Sequence, residues 1–286
     1  MRKTDNADIL QLKIMLVVLA GVICALAVLF AVVACQFAAA FRTAEVPQVQ
    51  TTEPPDTFAP PAPNPYTPED FREVDGYMTC ITGAYSLGVD VSEYRGSINW
   101  EKVKNAGMEF AIIRVGGRGW GTGKLYPDGK AEEYYRGAKK AGLQVGVYFF
   151  SQAISVEEAL EEAQYTLSLI EGWELDLPVV FDWEYVSGEA RTANVNARTL
   201  TDCSLAFCRA VEESGREAMI YFNASQGRDL LYLEELTEYP FWLAMYDAPM
   251  NYPYEVEFWQ YTKSGSVPGI QGGTDINILL PKRPMV

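Results

Sequence analysis

Short apolar runs alternate with amphipathic stretches from about residue 87 onward. Five of these runs predict strands, each followed by helical periodicity, and three more strand-like runs follow with too little chain between them for long helices. Five βα units and three closing strands predict an α/β fold, an irregular barrel of eight strands. The predicted strands are Leu87–Ser92, Phe110–Gly116, Gln144–Ser151, Leu177–Glu184, Ala218–Asn223, Phe241–Tyr246, Val256–Thr262 and Thr274–Leu279; the predicted helices lie near Trp100–Ala106, Ala131–Ala141, Val156–Glu171, Ala197–Ser214 and Arg228–Leu236.

The N-terminal part has a different pattern. Ile14 to Cys35 is an uncharged, strongly apolar run, and a helix of roughly 22 residues rises about 33 Å, enough to cross the hydrocarbon core of a bilayer. We therefore expect a transmembrane signal anchor over residues 14–41. Basic residues are concentrated before the run, which places residues 1–13 in the cytoplasm and the remainder outside.

Two short patterns give an alternative to an uncleaved, single-pass anchor. Val32–Cys35 is similar to a lipoprotein processing site, and Ala38–Ala40 offers small residues for signal-peptide cleavage. A lipoprotein or a cleaved, secreted form is thus the other possibility. Residues 42–84 follow as a predicted extracytoplasmic linker, because Thr43 to Asp70 contains eight prolines and little to bury. The predicted barrel domain covers residues 85–286.

Composition restricts the chemistry. The net charge is −15, which disfavours binding to nucleic acid because phosphate backbones are repelled. The chain contains no histidine, so Ser-His-Asp and Cys-His catalysis and histidine-ligated zinc are excluded. Five cysteines, two of them in or beside the apolar run, indicate no disulfide framework. Carboxylates remain as the acid–base groups at neutral pH.

Four acidic residues stand at the ends of predicted strands: Asp90, Asp182, Glu184 and Asp275. Asp182 and Glu184 share one face of their strand, roughly 6.5 Å apart along it. Mutual repulsion raises one pKa and leaves a protonated acid beside an ionised partner, the arrangement that glycosidic bond cleavage uses. The alternative is that these acids cap helices or bind calcium, although no EF-hand spacing is present.

Aromatic residues accompany the same strands and can stack on sugar rings when they lie near strand ends. A glycine-rich segment, residues 116–121, fits neither of the usual nucleotide-binding patterns and predicts a mobile loop beside the cleft.

Seven segments together resemble the lysozymes of glycoside hydrolase family 25, the N-acetylmuramidases. The resemblance covers about Leu87 to Leu279. It implies an irregular TIM-like (β/α)5β3 barrel that cleaves the β-1,4 bond between N-acetylmuramic acid and N-acetylglucosamine in peptidoglycan, with no metal and no organic cofactor. The segments are Gly88–Ser92, Phe110–Arg114, Ala141–Tyr148, Leu177–Glu184, Trp242–Tyr246, Trp259–Tyr261 and Thr274–Asn277.

The resemblance also implies roles. Glu184 matches the general acid, Asp182 the carboxylate that orients or stabilises the substrate's 2-acetamido group, and Asp90 and Asp275 line the cleft. Retention of configuration is implied, with either the acetamido group or a carboxylate as nucleophile. The candidate substrate-binding residues are Arg114, Tyr148, Tyr221, Trp242, Tyr246, Trp259 and Gln260.

This chain departs from the family at the rim of the cleft. Glu93, Tyr94 and Arg95 stand where the family often has His-Trp-Gln, and Phe149 stands where it often has His. A non-catalytic wall-binding barrel and a hydrolase of another amino sugar polymer such as chitin are therefore the competing hypotheses. The expected partners are peptidoglycan glycan strands and, through the N-terminal segment, the membrane; no obligate protein partner is inferred.

Overall fold

The computed structural model describes residues 58–246 and 248–280. The predicted anchor over residues 14–41 and the first part of the predicted linker lie outside the described residues. Within the described ranges, no helix combines the length and the apolar character needed to cross a bilayer.

Eleven strands and five α-helices make up the described part of the chain. The predicted barrel of eight strands is confirmed: β3, β4 and β6–β11 form one closed sheet, because β3 pairs with both β4 and β11. The strands are β1 (Phe71–Val74), β2 (Tyr77–Cys80), β3 (Ser86–Val91), β4 (Met108–Arg118), β5 (Leu125–Pro127), β6 (Gln144–Ser151), β7 (Val179–Trp183), β8 (Ala218–Asn223), β9 (Phe241–Ala244), β10 (Phe258–Gly265) and β11 (Thr274–Leu279).

Strand direction is uniform around most of the barrel. From β3 through β4, β6, β7, β8 and β9 to β10, each neighbouring pair is parallel. Strand β11 is antiparallel to both of its neighbours, β10 and β3. The residues that begin β11 therefore lie at the same end of the barrel as the residues that end β3.

Five helices pack outside the parallel strands, and side-chain caps fix where several of them begin. Asn99, Ser155 and Asn196 each accept a backbone N–H from the first turn of the following helix. Asn223 and Gln226 form a reciprocal capping box at the last helix. The helices are α1 (Trp100–Asn105), α2 (Ala131–Lys140), α3 (Val156–Leu169), α4 (Ala197–Glu213) and α5 (Ala224–Asp229).

Two sequence expectations differ locally from the structure. The last predicted helix, Arg228–Leu236, is wrong in its bounds: the α-helix there, α5, already begins at Ala224 and ends at Asp229, and only a 3₁₀ turn follows at Leu233–Glu235. Strand β4 continues to Arg118 and turns back into β5, which the sequence did not predict. A mobile loop was expected at this place, and a hairpin stands there instead.

The barrel interior is filled by its own apolar cluster, separate from the core between the sheet and the helices. It comprises Phe110, Ile112, Val180, Met219, Tyr221, Trp242, Ala244 and Phe258. Gly88 makes this packing possible, because a Cβ atom at that position would lie 2.3 Å from the Phe110 ring. These apolar side chains fill the barrel below its polar end, and we call this cluster the floor of the site.

The chain before the barrel covers the side that has no helices. Ala62 and Asn64 exchange backbone hydrogen bonds with the loop between β9 and β10, and the Phe71 ring packs edge-on to Trp259 of β10 at a centroid distance of 5.2 Å. Residues 58–84 were assigned to the linker by sequence. In the structure, this part of the predicted linker packs on the barrel and buries the outer face of its closing strands.

Candidate active site

Four carboxylates meet at one end of the barrel. Asp90 lies near the end of β3, Asp182 lies in β7, and Glu184 directly follows that strand. Asp275 lies at the beginning of β11 and is the register partner of Asp90. The reversed direction of β11 is what brings Asp275 to the other three. The structure thus collects all four predicted acids at one place.

Asp90 is held by a layer of side-chain amides. Its Oδ2 accepts hydrogen bonds from Gln260 Nε2 at 2.7 Å and Asn277 Nδ2 at 2.8 Å. Gln260 Oε1 in turn accepts from the hydroxyls of Tyr246 at 2.6 Å and Tyr221 at 3.0 Å. Burial, followed by the charge of Asp275, raises the pKa of Asp90 to about 8. Asp90 therefore gains or loses its proton near neutral pH.

Asp182 and Glu184 differ in their surroundings. Asp182 is only 5% exposed, and its Oδ1 has no hydrogen-bond partner among the described residues. Burial, then the negative charges of Glu184 and Asp90, raise the pKa of Asp182 well above its usual range. Glu184 is half-buried, and burial, then Asp275, raise its pKa, while Lys263 lowers it. Both shifts favour the protonated form of the carboxyl group, the form that a general acid requires.

Arg95, one of the rim departures from the family pattern, contacts Asp275. Its guanidinium lies 2.7 Å from Asp275 Oδ2 and also donates to the Gly273 carbonyl. Burial raises the pKa of Asp275, and Arg95 opposes this rise. The residue that breaks the family pattern thus stabilises the ionised form of one of the four carboxylates.

Arg114 is buried close to the site but is already engaged. Its Nε donates to Asp128 Oδ2 at 2.8 Å, and a second nitrogen lies 3.3 Å from Glu93 Oε1. The Tyr94 ring covers the guanidinium at 4.9 Å. Arg114 lowers the pKa of Asp182 through its charge. Arg114 therefore affects Asp182 through its charge, and its own hydrogen-bond donors are used by Asp128 and Glu93.

The backbone that carries Glu184 is fixed by two glutamines. Gln152 Nε2 donates to the Glu184 carbonyl at 2.8 Å, and Gln226 Nε2 donates to the Trp183 carbonyl at 2.8 Å. The Trp183 indole also donates to the Ala153 carbonyl at 3.0 Å. Both glutamines are buried. We call Gln152 and Gln226 the amide clamp; it satisfies the carbonyls where β7 ends and sets the direction of the Glu184 side chain.

Gln152→Met is expected to lower kcat by about 10- to 100-fold with KM nearly unchanged, because a small displacement of a catalytic group costs turnover more than binding. The volume is conserved, but the Glu184 carbonyl loses its donor. Steady-state kinetics and thermal unfolding measure the two effects separately. Thr192→Val is the control, since it removes the hydroxyl that donates to Gln152 Oε1 at 3.2 Å and leaves the bond to Glu184 intact. Equal kcat values for Gln152→Met and Thr192→Val would show that the bond from Gln152 to the Glu184 carbonyl does not position Glu184.

The titration of Asp90 has a consequence for stability. Its folded pKa of about 8 lies above the model-compound value of 3.8, so the folded chain holds a proton that the unfolded chain releases. The stabilisation from this proton is complete below about pH 4 and is lost as pH rises through about 8. Relative to the parent, Asp90→Asn is therefore expected to gain about 5–6 kcal/mol in unfolding free energy between pH 4 and pH 9, because each tenfold difference in proton affinity is worth about 1.4 kcal/mol. Urea unfolding at both values measures this; an equal difference at the two pH values would exclude it.

The predicted substrate-binding residues do not all reach the cluster. Tyr221, Tyr246 and Gln260 join the hydrogen-bond layer under Asp90. Trp242 forms part of the floor, donating to Asn277 Oδ1 at 2.8 Å, and its ring contacts Tyr148 edge-on.

Trp259 is the exception among the predicted substrate-binding residues. It is fully buried on the outer side of the sheet, where its indole donates to the Met245 carbonyl. Neighbouring residues of a strand face opposite sides, so Gln260 points inward and Trp259 points outward. The structure does not bring Trp259 to the site.

Sequence reasoning did not single out the amide clamp, Asn277 or Lys263. A usable signal was present for Gln152, because Ser151-Gln152 ends an apolar strand in the same way as the acidic residues do. No comparable signal marks Gln226, which reaches the site from the first turn of α5.

A family comparison agrees with this geometry. The model of Glycosyl hydrolases family 25 matches residues 89–270, a range that includes Asp90, Asp182 and Glu184. The chain belongs to this family. The eight-stranded barrel with carboxylates at one end is consistent with this family. Asp275 lies just beyond the matched range.

Individual relatives support the same placement within family 25. Lysozyme M1 of Streptomyces globisporus is 31% identical over 201 residues, which are 66% of each chain. A bacterial lysozyme from Streptomyces coelicolor is similar in structure, with a TM-score of 0.53, 31% identity and coverage of 68% of this chain and 92% of that one. The modular autolysin LytC from Streptococcus pneumoniae, solved in complex with a synthetic peptidoglycan ligand, has a TM-score of 0.62 and 25% identity.

Coverage of some relatives is partial. The match to LytC spans 73% of this chain but 52% of LytC, and the match to the autolytic lysozyme of Clostridium acetobutylicum spans 54% of that protein. This chain therefore spans between about half and two thirds of the curated relatives that it matches first.

Proposed function

We propose that this chain is a peptidoglycan hydrolase that cleaves the β-1,4 bond between N-acetylmuramic acid and N-acetylglucosamine. The observation that carries the proposal is the group of four carboxylates, with raised pKa values, at the open end of a family 25 barrel. The lysozymes among its relatives supply the substrate class.

In the proposed reaction, Glu184 donates its proton to the glycosidic oxygen as the bond to the anomeric carbon breaks. Asp182 Oδ1, which has no hydrogen-bond partner in the described part of the chain, accepts the N–H of the 2-acetamido group on the cleaved sugar. This contact turns the acetamido oxygen toward the anomeric carbon, where it forms the new bond from the opposite face. The ionised Glu184 then takes a proton from water, whose oxygen attacks the anomeric carbon and breaks its bond to the acetamido oxygen. The acetamido group is restored, and the product has retained configuration.

The remaining carboxylates tune the site. Asp275 is paired with Arg95, which favours its ionised form. The charge of Asp275 raises the pKa of Glu184 and so helps to keep the proton on Glu184 until the leaving oxygen takes it. Asp90 lies in the amide layer below, and its pKa of about 8 makes its charge, and with it the repulsion that raises the pKa of Asp182, depend on pH near neutrality.

We propose further that residues 14–41 anchor the chain in the cytoplasmic membrane, with the barrel on the outer side. The uncharged run from Ile14 to Cys35 and the basic residues before it support this placement. A hydrolase held in this way acts on wall polymer close to the membrane.

The test is product analysis after digestion of purified peptidoglycan. We expect new reducing ends that belong to N-acetylmuramic acid, identified by borohydride reduction and mass spectrometry. Reducing-end glucosamine would overturn the assigned bond. Sedimentation of the protein with peptidoglycan without any product would instead select a non-catalytic wall-binding barrel, and release of products from chitin alone would select another amino sugar polymer.

A further inference from the structure

Besides Tyr94, whose ring covers Arg114, two large aromatic side chains stand exposed on loops at the catalytic end of the barrel. Trp120, at the tip of the β4–β5 hairpin, is 49% exposed, and Tyr185, the residue after Glu184, is 54% exposed. Neither is part of the reaction proposed above. Exposed rings of this size cost solvation free energy unless a ligand covers them.

The two loops are joined by Arg191. Its backbone N–H donates to the Trp120 carbonyl at 3.1 Å, and it belongs to the same loop as Tyr185. Its guanidinium forms two hydrogen bonds with Glu158 of α3, at 2.7 and 2.5 Å, and a third with the Gln152 carbonyl at 2.7 Å. Arg191 therefore ties both aromatic loops to the start of α3 and to the amide clamp.

The hairpin that carries Trp120 is braced internally as well. Arg118 donates to the Gly123 carbonyl at 2.8 Å, and Gly119 and Lys124 are joined by a backbone hydrogen bond of 2.9 Å. Arg118 itself is buried and paired with Glu162. The backbone beneath the exposed indole is thus held in place before any ligand arrives, which reduces the entropic cost of binding.

Charge and position identify the class of ligand. The chain carries a net charge of −15, so the wall polymer, itself rich in carboxylates, is not attracted by the overall field. Without electrostatic attraction, the polymer can be bound by uncharged stacking contacts. Sugar rings present apolar C–H faces that stack on aromatic rings. Because Tyr185 adjoins Glu184 in sequence, a glycan strand with a bond at Glu184 passes close to this surface.

We propose that Trp120 and Tyr185 form an aromatic platform that binds a sugar ring of the glycan strand outside the cleaved disaccharide unit. The proposal rests on the proposed function, since it extends the same substrate along the barrel end. The platform makes the chain prefer long glycan strands over short oligosaccharides, because only a long strand reaches both Glu184 and the platform.

The test compares two substrates: long glycan strands and the shortest oligosaccharide that the chain cleaves. Trp120→Ala and Tyr185→Ala are expected to raise KM on long strands by about three- to tenfold, with KM on the short substrate and kcat on both unchanged within about twofold. Trp120→Phe is expected to restore most of the affinity for long strands. Tyr232→Ala is the matched control, because Tyr232 is also exposed, at 39%, but lies on the segment after α5.

Unchanged KM on long strands would overturn the platform. An equal rise on both substrates would also overturn it, since the residues would then act at the cleavage point. Binding of long strands to the Glu184→Gln variant, with and without Trp120→Ala, provides a readout that does not need turnover. If the parent releases no product while this binding still depends on Trp120, the proposed activity fails and the platform stands.

Discussion

Replacing Glu184 with glutamine is expected to reduce kcat on peptidoglycan by about 10²- to 10⁴-fold, the contribution of a well-placed general acid. Glutamine has the shape of the protonated acid and keeps the backbone carbonyl that Gln152 holds, but it has no proton to give to the leaving oxygen. The neutral amide also removes the repulsion by which an ionised Glu184 raises the pKa of Asp182. The variant should therefore fold at least as stably as the parent while losing turnover.

Release of reducing ends and thermal unfolding, measured on the same preparations, separate these two effects. Glu189→Gln is the control, because Glu189 is exposed in the loop that follows Glu184 and the change in net charge is the same. Full activity in Glu184→Gln would transfer the role of the acid to another carboxylate. A loss of activity accompanied by unfolding would assign Glu184 to the structure instead.

Replacing Arg118 with methionine is expected to destabilise the fold by about 3–5 kcal/mol, because it leaves the Glu162 carboxylate buried without its ionic partner. Arg118 Nε lies 2.7 Å from Glu162 Oε1, and the Glu162 side chain has no exposed surface. The pKa of Glu162 is about 7, raised by burial and opposed by Arg118. The stabilisation from the proton bound to Glu162 is therefore lost as pH rises through about 7. The free energy of unfolding of Arg118→Met is expected to fall further below that of the parent at pH 8 than at pH 5.

Urea unfolding at pH 5 and pH 8 measures this difference. Arg136→Met serves as the control, since its pair with Glu132 is 75% and 66% exposed and should change stability by less than about 0.5 kcal/mol. Replacement of both Arg118 and Glu162 with methionine should recover much of the loss, because no charge then stays buried alone. A small loss of unfolding free energy in Arg118→Met, equal at both pH values, would show that the Arg118–Glu162 pair contributes little to stability.

The barrel was predictable because its strands are short apolar runs bounded by clear turn residues. The positions of Asp90, Asp182 and Glu184 followed from the same pattern, since parallel strands place their carboxyl ends together. That rule does not place Asp275, which begins its strand. Asp275 lies close to the other three carboxylates only because β11 is antiparallel to its neighbours. A short apolar run in a sequence does not show the direction of the strand.

Other parts of the site were not readable from the chain because they depend on long-range contacts. The rule of alternating strand faces could have excluded Trp259 from the substrate, but its inward neighbour Gln260 shared the same motif. Arg114 seemed available for a ligand, whereas Asp128 and Glu93 engage it. The packing of residues 58–84 on the barrel was hidden by their proline content, which is as typical of a docked extended segment as of a free linker.

Strand β11 also determines when the group of four carboxylates is complete during synthesis. It is the last of the described strands, it joins β10 to β3 to close the barrel, and it supplies both Asp275 and Asn277. A chain still being synthesised lacks the closing strand, one of the four carboxylates and a donor to Asp90 until these residues are made. The group of four carboxylates is therefore complete only when residues 274–279 have paired with β10 and β3, and the activity proposed above depends on that last pairing.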